Sequence, residues 1–459
     1  MIPRRIIFRP ALGTALVISL CLAVPAGRSD ANVLKLIIPA VLVKKHWRSP
    51  QLIETNDTED AGYAQIAIDA AGNAVAVWSQ WDGICESIWT NYYKAHSGWG
   101  TAQLLETDDT GLAVLPQVAI DTAGNAIAVW QQSDGTHSNV WARRYDAAGG
   151  SWEAAQLLET SDAGAGYPQI AFDVSGNALA VWAQSDGSHD SIWAARYAAG
   201  SWGAAQLVET DDTGYASWPQ IAMNAEGNAV AVWRQWDGSH DSIWAACYTS
   251  GSWGAAQLLE TDDANDAEQQ QVAIDAAGNA VAVWRQHDGT VFHVWAARYD
   301  AASSSWGEAQ PLETNDTDDA WYPQIALDAA GNAVAVWHQQ DIDGSVVSVW
   351  NNRYTAGSGW GGAQPLDTSD TDDAGLVQIE FDATGNAIAV WIQWDGIRFN
   401  IWARHYTAGS GWGTAKLIET DNAGDALYPQ IAVNATGDAL AVWHQSDGIR
   451  DSVWAAWYK

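Results

Sequence analysis

A chain of 459 residues that is 48% hydrophobic and 17% charged can bury a core, which excludes disorder. Its 55 acidic and 21 basic residues leave a formal net charge of −34, which excludes a nucleic-acid surface because phosphates require basic groups. Thirty tryptophans are the compositional oddity, and their regular placement reads first as packing.

In chain order, Arg4, Arg5 and Arg9 precede an apolar run from Ala11 to Val24 and the small-residue stretch Val24-Pro25-Ala26. This is the layout of a secretory signal, assigned to residues 1–31, with Arg4-Arg5 also loosely matching a twin-arginine signal. Cys21 lies within the run, and Leu20 before it fits a lipoprotein cleavage site poorly. Residues 32–46 hold a second apolar stretch, Val33 to Val43, broken by Pro39 and closed by Lys44-Lys45. Both runs are too short to span a bilayer, so an exported protein without an integral span after signal removal is expected: periplasmic, extracellular or on the cell surface. Cys85 and Cys247 fall in different repeats at different positions, so no bridge between them is expected.

From residue 47 to 459 a segment D-x-x-G-N-A-x-A-V-W returns eight times, ending at Trp78, Trp130, Trp182, Trp233, Trp284, Trp337, Trp391 and Trp443. Each unit divides into four short β-type segments, for example Pro219–Asn224, Ala229–Gln235, Ser242–Tyr248 and a last strand from Trp253 to Thr261. Asp69-Ala70-Ala71-Gly72 suits a tight hairpin, and Ala199-Gly200 a second. The fold expected is all-β: an eight-bladed β-propeller of four-stranded antiparallel blades. Gln51–Thr55 matches a fourth strand and the chain ends on a third, so the N-terminal strand should complete the last blade and close the ring. Valines of A-V-A-V-W should face the alanine and tryptophan side of the next blade.

In such a meander the strand 2–3 loop and the strand 4–1 connection share one end of the ring, and most acidic residues fall there. Trp81, Trp218, Trp236, Trp321 and Trp394 are placed in these same loops, outside the repeated tryptophan positions, where they offer stacking surfaces for a sugar ring or cap the blade ends. Arg144, Arg196, Arg298 and Arg353 precede a repeated tyrosine and suit a sugar or carboxylate ligand, or pair with the repeated Glu of Glu-Thr. Asp316, Asp318, Asp319, Asp370, Asp372 and Asp373 have the alternating spacing hard cations favour, so calcium is the cofactor they suggest; as turn residues they would bond their own backbone instead. The glutamines opening each first strand and following each A-V-W are expected to satisfy backbone groups. No nucleophile motif, His/Cys metal spacing or phosphate loop occurs.

The unit P-Q-I-A-x-D-A-x-G-N-A-x-A-V-W-x-Q-x-D-G with I-W-A-x-R-Y and G-W-G-x-A-Q-L-L-E-T resembles the tandem repeats of exported bacterial proteins of unassigned role. More distantly it is similar to fucose-binding propeller lectins, a resemblance that implies sugar binding near blade junctions. The reading is an exported non-catalytic binding or scaffolding module, with a multivalent glycan or surface polymer as partner. A glycosidase- or lyase-like enzyme with one asymmetric site, and a structural cell-envelope protein, stand as alternatives.

Overall fold

The computed structural model describes residues 45–55, 59–106, 111–159, 163–210, 214–260, 265–313, 318–340, 346–367, 372–420 and 423–459. The signal and most of the apolar segment expected over residues 1–46 therefore lie outside the described residues, as do Asp316 and Asp370. Eight antiparallel sheets follow one another, each a meander, and no helix occurs among the described residues. In blade 4 the strands are Ala216–Met223, Ala229–Trp236, Asp241–Thr249 and an outer strand in two pieces, Ser252–Trp253 and Gln257–Leu258. The outer strand departs from the single run expected. Gly254 donates to the Cys247 carbonyl and leads a short detour before Gln257 pairs with Ala245.

The first strand of each blade touches the first strands of both neighbours, so eight first strands form the inner wall of a closed ring. Closure is as expected: Gln51 and Leu52 pair with Ala455 and Trp454 as the outer strand of blade 8. The seven other blades each pack a G-W or S-W tryptophan against the tyrosine of the third strand, as Tyr248 packs on Trp253 at 5.3 Å. In blade 8 Trp47 supplies that ring to Tyr458, at 5.5 Å.

The cores sit between blades. Val75, Val77 and Ile88 of blade 1 meet Ala113, Ala126, Ala128 and Trp130 of blade 2, and the pattern recurs to Leu440, Val442 and Val453 against Ala74, Ala76 and Trp78. Large beside small fills each interface, as period-two alternation of A-V-A-V-W requires. All eight A-V-W tryptophans are fully buried. Each donates its indole N–H to the glutamine two residues on, as Trp233 does to Gln235 at 2.9 Å. Those glutamines thus serve a side chain as well, because a buried indole N–H needs an acceptor, and Gln339 also donates to the Asp318 carbonyl of the backbone, as expected.

The D-x-x-G-N motif is one hydrogen-bonded unit. Asp121 accepts from the Asn125 backbone and side chain at 2.8 Å each, Gly124 takes the left-handed φ of 83° the turn demands, and Asn125 Oδ1 accepts from Ala147 in the neighbouring hairpin.

Candidate functional site

At the end of the ring that carries the strand 2–3 loops, many of the described carboxylates are backbone acceptors. In the Asp-Gly loops of the seven blades where the loop is described, the Asp accepts from the amides two and three residues on, as Asp186 does from Ser188 and His189. Those bonds hold the Asp186 carboxyl down at about 2. Asp319 accepts from Phe292 at 2.8 Å and Asp373 from Val347 at 2.9 Å, each tying the connection into one blade to the third strand of the blade before. The Glu of Glu-Thr is buried and accepts from the third strand: Glu159 from Val140 and Glu313 from Val294, both at 2.8 Å. Among the described residues no cluster of three or more His, Cys, Asp or Glu side chains is placed to hold a metal ion. Of the calcium candidates, Asp319 and Asp373 carry the structural bonds just described.

The Glu of Glu-Thr does not take the arginines either, which corrects one expectation. Arg144, Arg196, Arg298 and Arg353 lie at the far end of the third strand, beside the hairpins and opposite the five tryptophans. The residue at that position faces the next blade's tyrosine: Arg298 lies over Tyr354 and Arg353 over Tyr406, both at 5.4 Å, and Tyr92 stacks on Tyr145 at 4.6 Å. Arg144 bonds Glu153 at 2.5 Å, and Arg196 is exposed. The two groups of predicted ligand residues therefore do not meet.

The five tryptophans are strand residues rather than loop residues. Trp81, Trp236 and Trp394 end the second strands of blades 1, 4 and 7, so they are spread around the ring. Trp218 and Trp321 lie in the first strands of blades 4 and 6. Trp218 belongs to a feature the sequence does not announce. In every blade the first strand carries a bulge whose residue has a left-handed backbone: Tyr63, Leu115, Tyr167, Trp218, Gln269, Tyr322, Leu376 and Tyr428, with φ between 49° and 59°. Such a conformation costs a non-glycine residue about 1–2 kcal/mol, yet glycine and asparagine never occupy it. The bulge turns these side chains toward their neighbours around the mouth of the inner wall. Tyr167 meets Trp218 at 4.1 Å and Tyr63 meets Tyr428 at 5.4 Å between ring centroids.

One arc of this mouth breaks the repeat. Where other blades read Tyr-Pro-Gln or a close variant, blade 5 reads Glu268-Gln269-Gln270-Gln271, and Arg234 and Arg285 follow the A-V-W of blades 4 and 5. Glu268 bonds Arg285 at 2.5 Å and Arg234 at 3.4 Å, and Arg234 also reaches Asp241 at 3.3 Å. Burial pushes the Asp241 carboxyl up despite that arginine. Gln270 donates to the Trp218 carbonyl, and Gln269 accepts from the Tyr322 amide at 2.7 Å. The result is a cavity of about 530 Å³. Trp218 and Tyr322, 48% and 50% exposed, stand at its sides, and Arg234, Glu268 and the amides of Gln220, Gln271 and Gln324 line it. Gln220, Gln271 and Gln324, which open the first strands of this arc, line the cavity, while Gln269 and Gln270 bond backbone groups of the neighbouring blades. Beside it His338, near Tyr322 and Trp321, is pushed down to about 4 by burial and then by Arg285, so it is neutral at pH 7. On the same inner wall Glu380 replaces the alanine of the seven other blades, and enclosure lifts its carboxyl to about 7 although solvent reaches it.

Blade 5 holds one further exception, with a pH consequence. His293 replaces a Ser or Asn of the other blades and bonds Glu313 at 2.8 Å and Asp288 at 3.1 Å. Glu313 first and Asp288 next raise its pKa to about 9. A raised folded-state value means the stabilisation is fully present below the unfolded value of 6.5 and is lost as pH rises through about 9. Comparing His293→Ser with the unsubstituted chain by urea unfolding across that window should show a difference on the order of 2 kcal/mol that shrinks at high pH. A difference independent of pH would contradict it.

No protein-family model matches this chain, and no curated protein does. Among solved structures, a protein of unknown function from Dyadobacter fermentans is 10% identical, with 91% of this chain and 100% of that one covered and a TM-score of 0.44. An ulvan lyase, a polysaccharide lyase bound to -[GlcA(1-4)Rha3S]-, is 11% identical over 76% of this chain and 90% of its own, with a TM-score of 0.48. The NanB sialidase from Streptococcus pneumoniae is 10% identical over 90% and 71%, with a TM-score of 0.38. Likeness at these levels carries no activity across to this chain.

Proposed function

We propose that this chain is a non-catalytic, exported carbohydrate-binding propeller and that the glycan occupies the cavity of blades 4 to 6. The observation that carries the reading is the pairing of two half-exposed aromatic rings, Trp218 and Tyr322, with a lining of amides and the Arg234–Glu268 pair. A sugar presents C–H groups from its ring faces and hydroxyls from its edge. Aromatic faces take the first, and amides, guanidinium and carboxylate take the second as donors and acceptors. Arginine and carboxylate charges balance within the cavity, which favours a neutral polar glycan over a strongly anionic one. The lining residues occur together in one arc, so one site per ring is expected rather than eight weak ones.

Glycan-array binding, followed by titration of the best oligosaccharide, tests this. Trp218→Ala and Tyr322→Ala should each weaken binding about tenfold or more, by loss of a stacking face. Unchanged affinity in both variants would overturn the assignment. Turnover of the bound glycan would move the chain to the lyase- or glycosidase-like reading.

A further inference from the structure

Ring closure makes blades 7, 8 and 1 consecutive neighbours although they stand at opposite ends of the chain. Their Asp-Gly loops share one departure from the rest. Blades 2 to 5 place Thr136, Ser188, Ser239 and Thr290 after the glycine, and each hydroxyl bonds back to the loop Asp at 2.6–2.8 Å. Blades 1, 7 and 8 place Ile84, Ile397 and Ile449 there, 74%, 72% and 84% exposed. The backbone is the same in both groups: the Ile amides donate to Asp82, Asp395 and Asp447 at 2.7, 2.8 and 2.7 Å. The fold therefore does not require isoleucine. It gives up a local hydrogen bond and leaves a β-branched aliphatic side chain in water, three times, in three adjacent loops. The corresponding loop of blade 6 lies outside the described residues. Trp81 adds exposed apolar surface in the same sector.

We propose that these three loop tips form one docking surface for a basic, amphipathic segment of a partner protein. Singly scattered apolar residues need no explanation, but three exposed isoleucines at the same loop position of three adjacent blades are a set that an interaction explains. Charge selects among occupants. The tips stand on Asp82, Asp395 and Asp447, with Glu86 and Asp451 beside them; these carboxylates outnumber the arginines there, Arg398 next to Ile397 and Arg450, which is paired to Glu59 at 3.2 Å. An apolar knob ringed by carboxylates complements a segment that presents aliphatic residues flanked by Lys or Arg. The same carboxylates repel an anionic bilayer, and two copies of a chain at −34 repel each other. This surface is separate from the cavity of blades 4 to 6, so either assignment can fail alone.

The probe is a synthetic Lys/Leu amphipathic helix, compared at physiological ionic strength with a scrambled peptide of equal composition. The full chain should bind the amphipathic form about tenfold more tightly, and Ile84→Ser/Ile397→Ser/Ile449→Ser should remove about tenfold of affinity, one buried aliphatic contact or more. Serine occupies this position in blades 3 and 4, so the variant should keep its unfolding midpoint and its glycan affinity. Equal binding of both peptides, or no loss in the triple variant, would show that charge alone binds and would overturn the proposal. Ile-dependent binding to phosphatidylglycerol vesicles, or Ile-dependent dimers in sedimentation, would overturn it in favour of lipid or a second copy.

Discussion

Trp284→Ala is expected to cost about 3–5 kcal/mol of stability, the upper range for a single core truncation. The side chain is fully buried and packs its own blade onto Val230, Val232, Ile243 and Leu259 of the blade before. Its nearest companions in the second strand are Ala280 and Ala282, which have no atoms to move into the space. The third strand pairs with this one in unbroken register, Trp284 opposite Trp295, and the first strand pairs on either side of its bulge, so collapse is limited and the cavity term stays large. Gln286 Oε1 also loses the indole N–H that it accepts at 3.1 Å. Trp236→Ala, at the exposed end of the second strand of blade 4, should by contrast stay within about 1 kcal/mol. Urea unfolding of the two variants measures the contrast. A Trp284→Ala loss no larger than that of Trp236→Ala would show that the interfaces between blades do not hold the ring together.

The repeat exposes the fold because each of its residues answers a local demand that recurs in every copy. Asp121, Gly124 and Asn125 encode a turn, and the alternation of Ala126 to Trp130 encodes two faces of unequal size. The bulge at Trp218 escapes such a reading, since a left-handed aromatic residue runs against every local preference and follows only from packing around the inner wall. Carboxylate counts mislead for a related reason. Composition shows that Asp319 is acidic but not that its acceptor faces the Phe292 amide of another blade. Arg298 likewise meets Tyr354 from the next blade, a partner that spacing within one repeat does not reveal. Of the cavity, Trp218 is legible as an aromatic out of register. Glu268-Gln269-Gln270 and Arg234 carry a signal too, in replacing residues of different character at aligned positions, but only geometry brings them to one arc.

Removing residues 45–55 should lower stability by about 5 kcal/mol or more and expose the ring to self-association. These residues are the clasp. Trp47 takes against Tyr458 the place that an outer-strand tryptophan takes in each other blade, and Ile53 is fully buried between blades 8 and 1. His46 and Lys459 exchange backbone bonds at 3.2 Å, and Arg48 and Ile53 donate to Trp457 and Val453 at 2.6 and 3.0 Å. Lys45 pairs with Asp438 at 2.7 Å. Asn91 of blade 1 donates to the Ile53 carbonyl at 2.8 Å, so the segment bonded to the last blade is also held by the first. Without it Asp451–Tyr458 becomes an open edge strand with unpaired amides, and the interface of Trp78 with Leu440 and Val442 loses its cover. Two contributions are separable. Moving residues 47–55 to the C-terminus through a hairpin copied from Thr407–Gly411 rebuilds blade 8 but removes the covalent link between the last blade and the first. That permutant should recover the buried-contact part of the loss and remain monomeric, while unfolding at a lower midpoint than the natural order. A truncated chain as stable and as monomeric as the full one would mean that the ring is held by its seven internal interfaces and that the clasp is dispensable.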